Sequence, residues 1–170
     1  MIRLIAVAFL AALAAQPAAA QSSASDIFSG FQDQSNDPVE VTAETLEVYE
    51  EGNQRITVFS GGVTVTRGKT TLKAANIKLY SPLESTSADA FSRIEADGKI
   101  FVNSGDQTVT GNSASVDMAS QTITVSGGVV LTQGSNVLTG TRLVVNLETG
   151  RARVEGATRG VFTPGGSPSN

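Results

Sequence analysis

The chain contains no histidine, no cysteine and no tryptophan among its 170 residues, and aromatic residues make up only 5% of it. Without histidine or cysteine it lacks the commonest general base, the strongest side-chain nucleophile and the usual zinc ligands. Only carboxylates, lysines and hydroxyls remain for catalysis, so no catalytic or metal-binding residue is assigned and no cofactor is expected. The absence of cysteine also rules out disulfide staples, leaving strand pairing and an apolar core to hold the fold. Positive charge is scarce as well: 12 Lys and Arg face 16 Asp and Glu for a net charge of −4, a sign that argues against a nucleic-acid partner. No long apolar run follows residue 15, so nothing downstream of the leader suits a membrane-spanning helix.

The first twenty residues read as a leader. Arg3 supplies the positive start, Leu4 to Ala15 an apolar stretch too short to span a bilayer, and Ala18-Ala19-Ala20 a small-residue cleavage site before Gln21. Residues 1–20 are therefore assigned to a cleaved signal peptide and the protein to the periplasm. Residues 21–38 are rich in Ser, Asp, Gln and Asn, with Ile27, Phe28 and Phe31 as their main apolar content, and read as a flexible linker. Residues 164–170 read as a disordered tail, leaving 39–163 for one folded domain.

Within that domain a unit of about 30 to 37 residues recurs three times. Each starts with alternating branched apolar and polar residues that end on glycine: Val63 to Gly68, Ile100 to Gly105 and Val129 to Gly134. Two further apolar segments follow in each, Leu72 to Ala74 with Ile77 to Leu79, Val109 to Gly111 with Ala114 to Val116, and Leu138 to Gly140 with Leu143 to Val145. Period-two alternation means β-strands with one apolar and one wet face, and the repeat means stacked units that need neighbours to bury the apolar face. The fold expected is all-β, a stack of antiparallel strands roughly five to eight residues long. Turns are expected at Arg67-Gly68, Asp97-Gly98, Ser104-Gly105, Gly127-Gly128, Gln133-Gly134 and Thr149-Gly150. Glycine at the end of each unit's first strand supplies the positive φ a tight hairpin requires. Ser81 to Arg93, with Pro82, is either a loop or one short helix.

The interior is assigned from the alternation. Ile56 and Val58 precede the first unit; Val63, Val65, Leu72, Ile77 and Leu79 come from it. Ile100, Val102, Val109, Val116, Ile123 and Val125 come from the second unit, and Val129, Leu131, Leu138, Leu143 and Val145 from the third. Thr64, Thr66, Thr122 and Thr124 point the other way. Glu95 and Asp97 share a strand face and resemble the paired carboxylates of a glycosidase, but Asp97-Gly98 is read as a turn. Gly61-Gly62 and Gly127-Gly128 lack the aspartate of calcium-binding β-rolls.

The phrase Phe59 to Gly68, its echo Val125 to Gly134, the entry phrase Val41 to Tyr49 and the strand Ala74 to Tyr80 resemble the repeat of the OstA-like family. The resemblance covers about Val39 to Val161. It implies a twisted β-jellyroll, open at both ends, whose apolar interior carries the acyl chains of lipopolysaccharide. It also implies an inner-membrane partner, an outer-membrane β-barrel partner and head-to-tail stacking of further copies. Two alternatives stand beside it: an envelope scaffold that carries no ligand, and a membrane-anchored sister component with the same fold. Stacking has its own sequence signal, since the first strands carry Glu40, Glu44 and Glu47 and the last carry Arg142, Arg151 and Arg153. These are the expected assembly edges.

Overall fold

The structure, a computed structural model, describes residues 27–28, 37–85 and 90–163. The leader expected over 1–20, most of the linker and the tail at 164–170 lie outside the described residues.

Among the described residues ten strands follow one another: β1 (Val39–Thr42), β2 (Thr45–Glu51), β3 (Gln54–Arg67), β4 (Thr70–Pro82), β5 (Arg93–Ser104), β6 (Gln107–Asp117), β7 (Thr122–Gln133), β8 (Asn136–Asn146), β9 (Arg151–Glu155) and β10 (Arg159–Val161). All pair antiparallel in one sheet, with β3 to β8 side by side in chain order. β1 and β2 both lie along the free side of β3, and β9 and β10 both lie along β8. The two margins do not pair with each other, so the sheet is unclosed. The three sequence repeats are the hairpins β3–β4, β5–β6 and β7–β8. Gly68, Gly105 and Gly134 sit in their connecting turns at φ of 55°, 61° and 55°.

The six central strands are 11 to 14 residues long, about twice the length expected. Asp97-Gly98 and Gly127-Gly128, expected as turns, lie inside β5 and β7, and Gly61-Gly62 lies inside β3. Each is a bulge. Ser60 pairs with Asn76 and Val63 with Ala74, three steps on β3 against two on β4. The same offset separates Asp97/Ser113 from Ile100/Gly111 and Ser126/Arg142 from Val129/Gly140. Two successive residues of positive φ, the backbone state that a hairpin turn also uses, absorb the extra length: 86° and 76° at Gly61 and Gly62, 87° and 71° at Gly127 and Gly128. In β5 the second position is Lys99, at φ 55°. The bulges align from strand to strand into one crease across the sheet. The margins bend at the same level, with Ala43 and Glu44 between β1 and β2, and Gly156 to Thr158 between β9 and β10.

The crease decides which side chains point inward. On β3, β5 and β7 the inward positions on either side of it are four apart, as in Ala96 and Ile100 or Val125 and Val129, so their parity continues. On β4 and β8 they are three apart, Ala74 and Ile77 or Gly140 and Leu143, so the inward set switches from even to odd numbers. Ile56 and Val58 therefore differ from the expectation. β3 keeps its parity through Gly61-Gly62, Phe59 joins the core, and Ile56 and Val58 fall on the outer face. Ile56 is nevertheless buried there, paired between Tyr49 and Tyr80. Of the stretch left as loop or helix, Ser81 and Pro82 complete β4, and residues 86–89 lie outside the described ones.

Candidate functional site

The inner face of the sheet carries four apolar rows, two on each side of the crease. Just beside it, Phe59, Ile77, Ala96, Ala114, Val125, Leu143 and Val154 are cross-strand neighbours in unbroken succession from β3 to β9. Next to them run Thr57, Leu79, Ile94, Val116, Ile123, Val145 and Ala152, with Thr57 the one polar member. Across the crease lie Val63, Ala74, Ile100 and Val129, and then Val65, Leu72, Val102, Val109, Leu131 and Leu138. All of these residues except Thr57 and the exposed Ala152 form one core cluster, in which Val109, Val125, Leu143 and Val145 are fully buried. Sixteen of the eighteen residues assigned to the interior from sequence take part in it, and Ile56 and Val58 do not.

A polar layer closes the rows at the end where the hairpins of β3–β4, β5–β6 and β7–β8 turn. Thr70, Ser104 and Gln107 are buried there, and Thr70 Oγ1 donates to Ser104 Oγ at 3.0 Å. Gln107 Oε1 is out of solvent with no hydrogen-bond donor among the described residues. At the β1–β2 margin the inner rows run on into solvent. Val41 continues the Val65 row, Leu46 the Phe59 row and Val48 the Thr57 row, and they are 39%, 59% and 57% exposed. The apolar face is thus open along one edge.

Sequence reading missed one component of this interior. Ile27 and Phe28, placed in a flexible linker, are 0% and 4% exposed and belong to the core cluster. The available signal was two adjacent large apolar residues in an otherwise polar stretch.

The outer face holds the polar chemistry. Tyr80 donates its hydroxyl to Glu95 at 2.8 Å, and the Arg93 guanidinium lies 5.0 Å from the Tyr80 ring centre and also bonds Glu95. The hydrogen bond to Glu95, followed by burial, pushes the Tyr80 hydroxyl above its ordinary pKa. Asn76 Nδ2 donates to Asp97 at 2.9 Å. Both carboxylates of the pair considered from sequence are thus held by neighbours on the sheet surface. They border a groove of about 240 Å³ lined with Ser113, Ser115, Thr124 and Ser126. No group of three or more potential metal ligands occurs among the described residues.

Of the assembly residues, Glu40 and Glu47 are on β1 and β2, with Glu44 in the bend between them. Arg151 and Arg153 are on β9, so these five occupy opposite margins of the sheet. Arg142 does not reach the margin, because it sits one strand in, on β8, opposite Glu155.

Residues 40–151 match the family model described as LptA/(LptD N-terminal domain) LPS transport protein. The chain is 36% identical over 151 residues to the uncharacterized protein R00383 of Rhizobium meliloti (strain 1021), covering 85% of this chain and 79% of that protein. Its fold is similar to the crystal structure of LptH from Pseudomonas aeruginosa, described as the LptA-homologous periplasmic component of a lipopolysaccharide transport device. That likeness has a TM-score of 0.60 at 15% identity and covers 75% of this chain and 96% of LptH. The shared architecture is the open antiparallel β-jellyroll, and the chain belongs to the LptA/LptD N-terminal domain family of LPS transport proteins.

Proposed function

We propose that this protein is a periplasmic lipopolysaccharide carrier. It takes lipid A acyl chains against its apolar rows and bridges an inner-membrane LptC-like protein to an outer-membrane LptD-like β-barrel by stacking with further copies of itself. The observation that supports this best is the continuity of the inner rows, which run from the buried core to an unpaired margin without meeting a charged side chain. Acyl chains ask for no directional chemistry. Transfer from water contributes about 0.8 kcal/mol per buried CH₂, so a smooth face of branched aliphatic residues is sufficient. The leader read over residues 1–20 supports export, and the family supports the transport pathway.

The interior of the structure is packed with its own side chains, and this favours the scaffold that holds no ligand as the second reading. Native mass spectrometry of the protein purified from a lipopolysaccharide-producing envelope separates the two. The carrier retains lipopolysaccharide in stoichiometric amounts, whereas a scaffold appears at the bare polypeptide mass.

A further inference from the structure

We infer that Ile27 and Phe28 are a built-in plug: in the lipid-free protein they fill part of the apolar interior, and an acyl chain enters by displacing them. This rests on the carrier reading above.

Several observations converge on the pair. Both residues are buried in the cluster that contains Val63, Ile100 and Val102, so they occupy the space an acyl chain needs. Both have 3₁₀ conformation, and no strand pairing holds them among the described residues. Apolar burial holds them, and it is a hold that a lipid can replace with contacts of the same kind. The immediate neighbours are small or polar, with Ser25 and Asp26 on one side and Ser29 and Gly30 on the other before Phe31.

The connection has the reach this requires. Ten residues separate Phe28 from Val39, enough to span about 35 Å when extended. β1 begins at Val39, on the margin where Val41, Leu46 and Val48 leave the interior open. The plug is thus tethered beside the opening. Covalent linkage through ten residues of chain makes its return intramolecular, so it reseats whenever lipid leaves. It shields the inner face from water and from unwanted apolar contacts between deliveries. A fatty acyl chain longer than the two side chains together removes more apolar surface and wins the site. Because lipid binds only the unplugged form, the plug weakens apparent affinity by the unplugged fraction.

The test uses the full mature chain. With Ile27→Ser and Phe28→Ser combined, apparent affinity for purified lipopolysaccharide should tighten about tenfold, the amount expected if roughly one molecule in ten is unplugged at rest. Unchanged or weaker affinity would overturn the plug and make the pair ordinary core. A second measurement keeps the parent sequence apart from one residue: a photoreactive phenylalanine analogue at Phe28 should cross-link to strands of the core cluster without lipid and lose that product on saturation with lipopolysaccharide. Lipopolysaccharide binding with the cross-link undiminished overturns the plug alone. Failure of the parent to bind lipopolysaccharide at all overturns the carrier reading, and displacement by acyl chains with it.

Discussion

Thr70 Oγ1 donates to Ser104 Oγ at 3.0 Å across β4 and β5, with both side chains out of solvent at the end of the apolar rows. Thr70→Val leaves the Ser104 hydroxyl buried without this partner and should cost about 1 to 2 kcal/mol. Ser104→Ala added to it removes the stranded group, and the double variant should recover most of the loss. Urea denaturation of the two single variants and the double variant gives the coupling directly.

The crease carries a sign test within two adjacent residues. A Cβ at Gly98 would collide with the Ala75 side chain at a φ of 76°, so Gly98→Ala should destabilise by about 1 to 3 kcal/mol. Lys99 holds a φ of 55° with a full side chain, at the position where the other two bulges have glycine. Lys99→Gly relieves that conformation at the cost of a more flexible unfolded chain and should leave stability unchanged or raise it by up to about 1 kcal/mol. Matching losses in the two variants would mean that the backbone at the crease is not what is being strained.

The repeats were legible in sequence because each hairpin spells the same alternation and turns on the same glycine, at Gly68, Gly105 and Gly134. Their faces were legible wherever a single strand was read by itself, as for Val102 or Leu131. Adjacent residues of positive φ serve hairpin turns and bulges alike, so Gly127-Gly128 looked like a turn until the pairing on both its sides involved the same two neighbouring strands. Ile56 and Val58 were misplaced for a related reason: the switch in parity belongs to β4, β6 and β8, which carry no glycine pair to announce it. Ile27 and Phe28 were missed because their burial depends wholly on contacts distant in sequence.

Two ionisable groups set opposite limbs of the stability profile. The backbone N–H of Ser120 and then its hydroxyl hold Asp117 below its ordinary pKa. That contribution is complete above the unfolded value of about 3.8 and is lost as pH falls through the lower folded value. Tyr80 is shifted upward, so its contribution is complete below 10.0 and is lost as pH rises through the raised folded value. Thermal melts should show Asp117→Asn less stable at neutral pH with a shallower acid limb. Tyr80→Phe should lose part of the alkaline decline while its acid limb stays unchanged.

The margins predict salt-sensitive assembly. Among the described residues Glu40 and Glu47 line one unpaired edge and Arg151 and Arg153 the other, and an unpaired edge templates strand addition. Opposite charges steer that encounter over a Debye length of about 8 Å at physiological salt. Sedimentation should show concentration-dependent oligomers that weaken as salt rises. Arg151→Glu combined with Arg153→Glu should remain monomeric with an unchanged melting temperature, since both arginines are exposed.

If the inner rows hold lipid and the outer face does not, β3 and β5 supply a matched pair of probes. Val102 is 1% exposed within the core cluster, and Thr64 lies on the outer face, paired with Lys73. A photoreactive residue at each position, irradiated in lipopolysaccharide-producing cells, measures the difference. Lipopolysaccharide adducts are expected from position 102 and none from position 64. Equal labelling at both positions, or labelling at 64 alone, would contradict lipid holding by the inner rows.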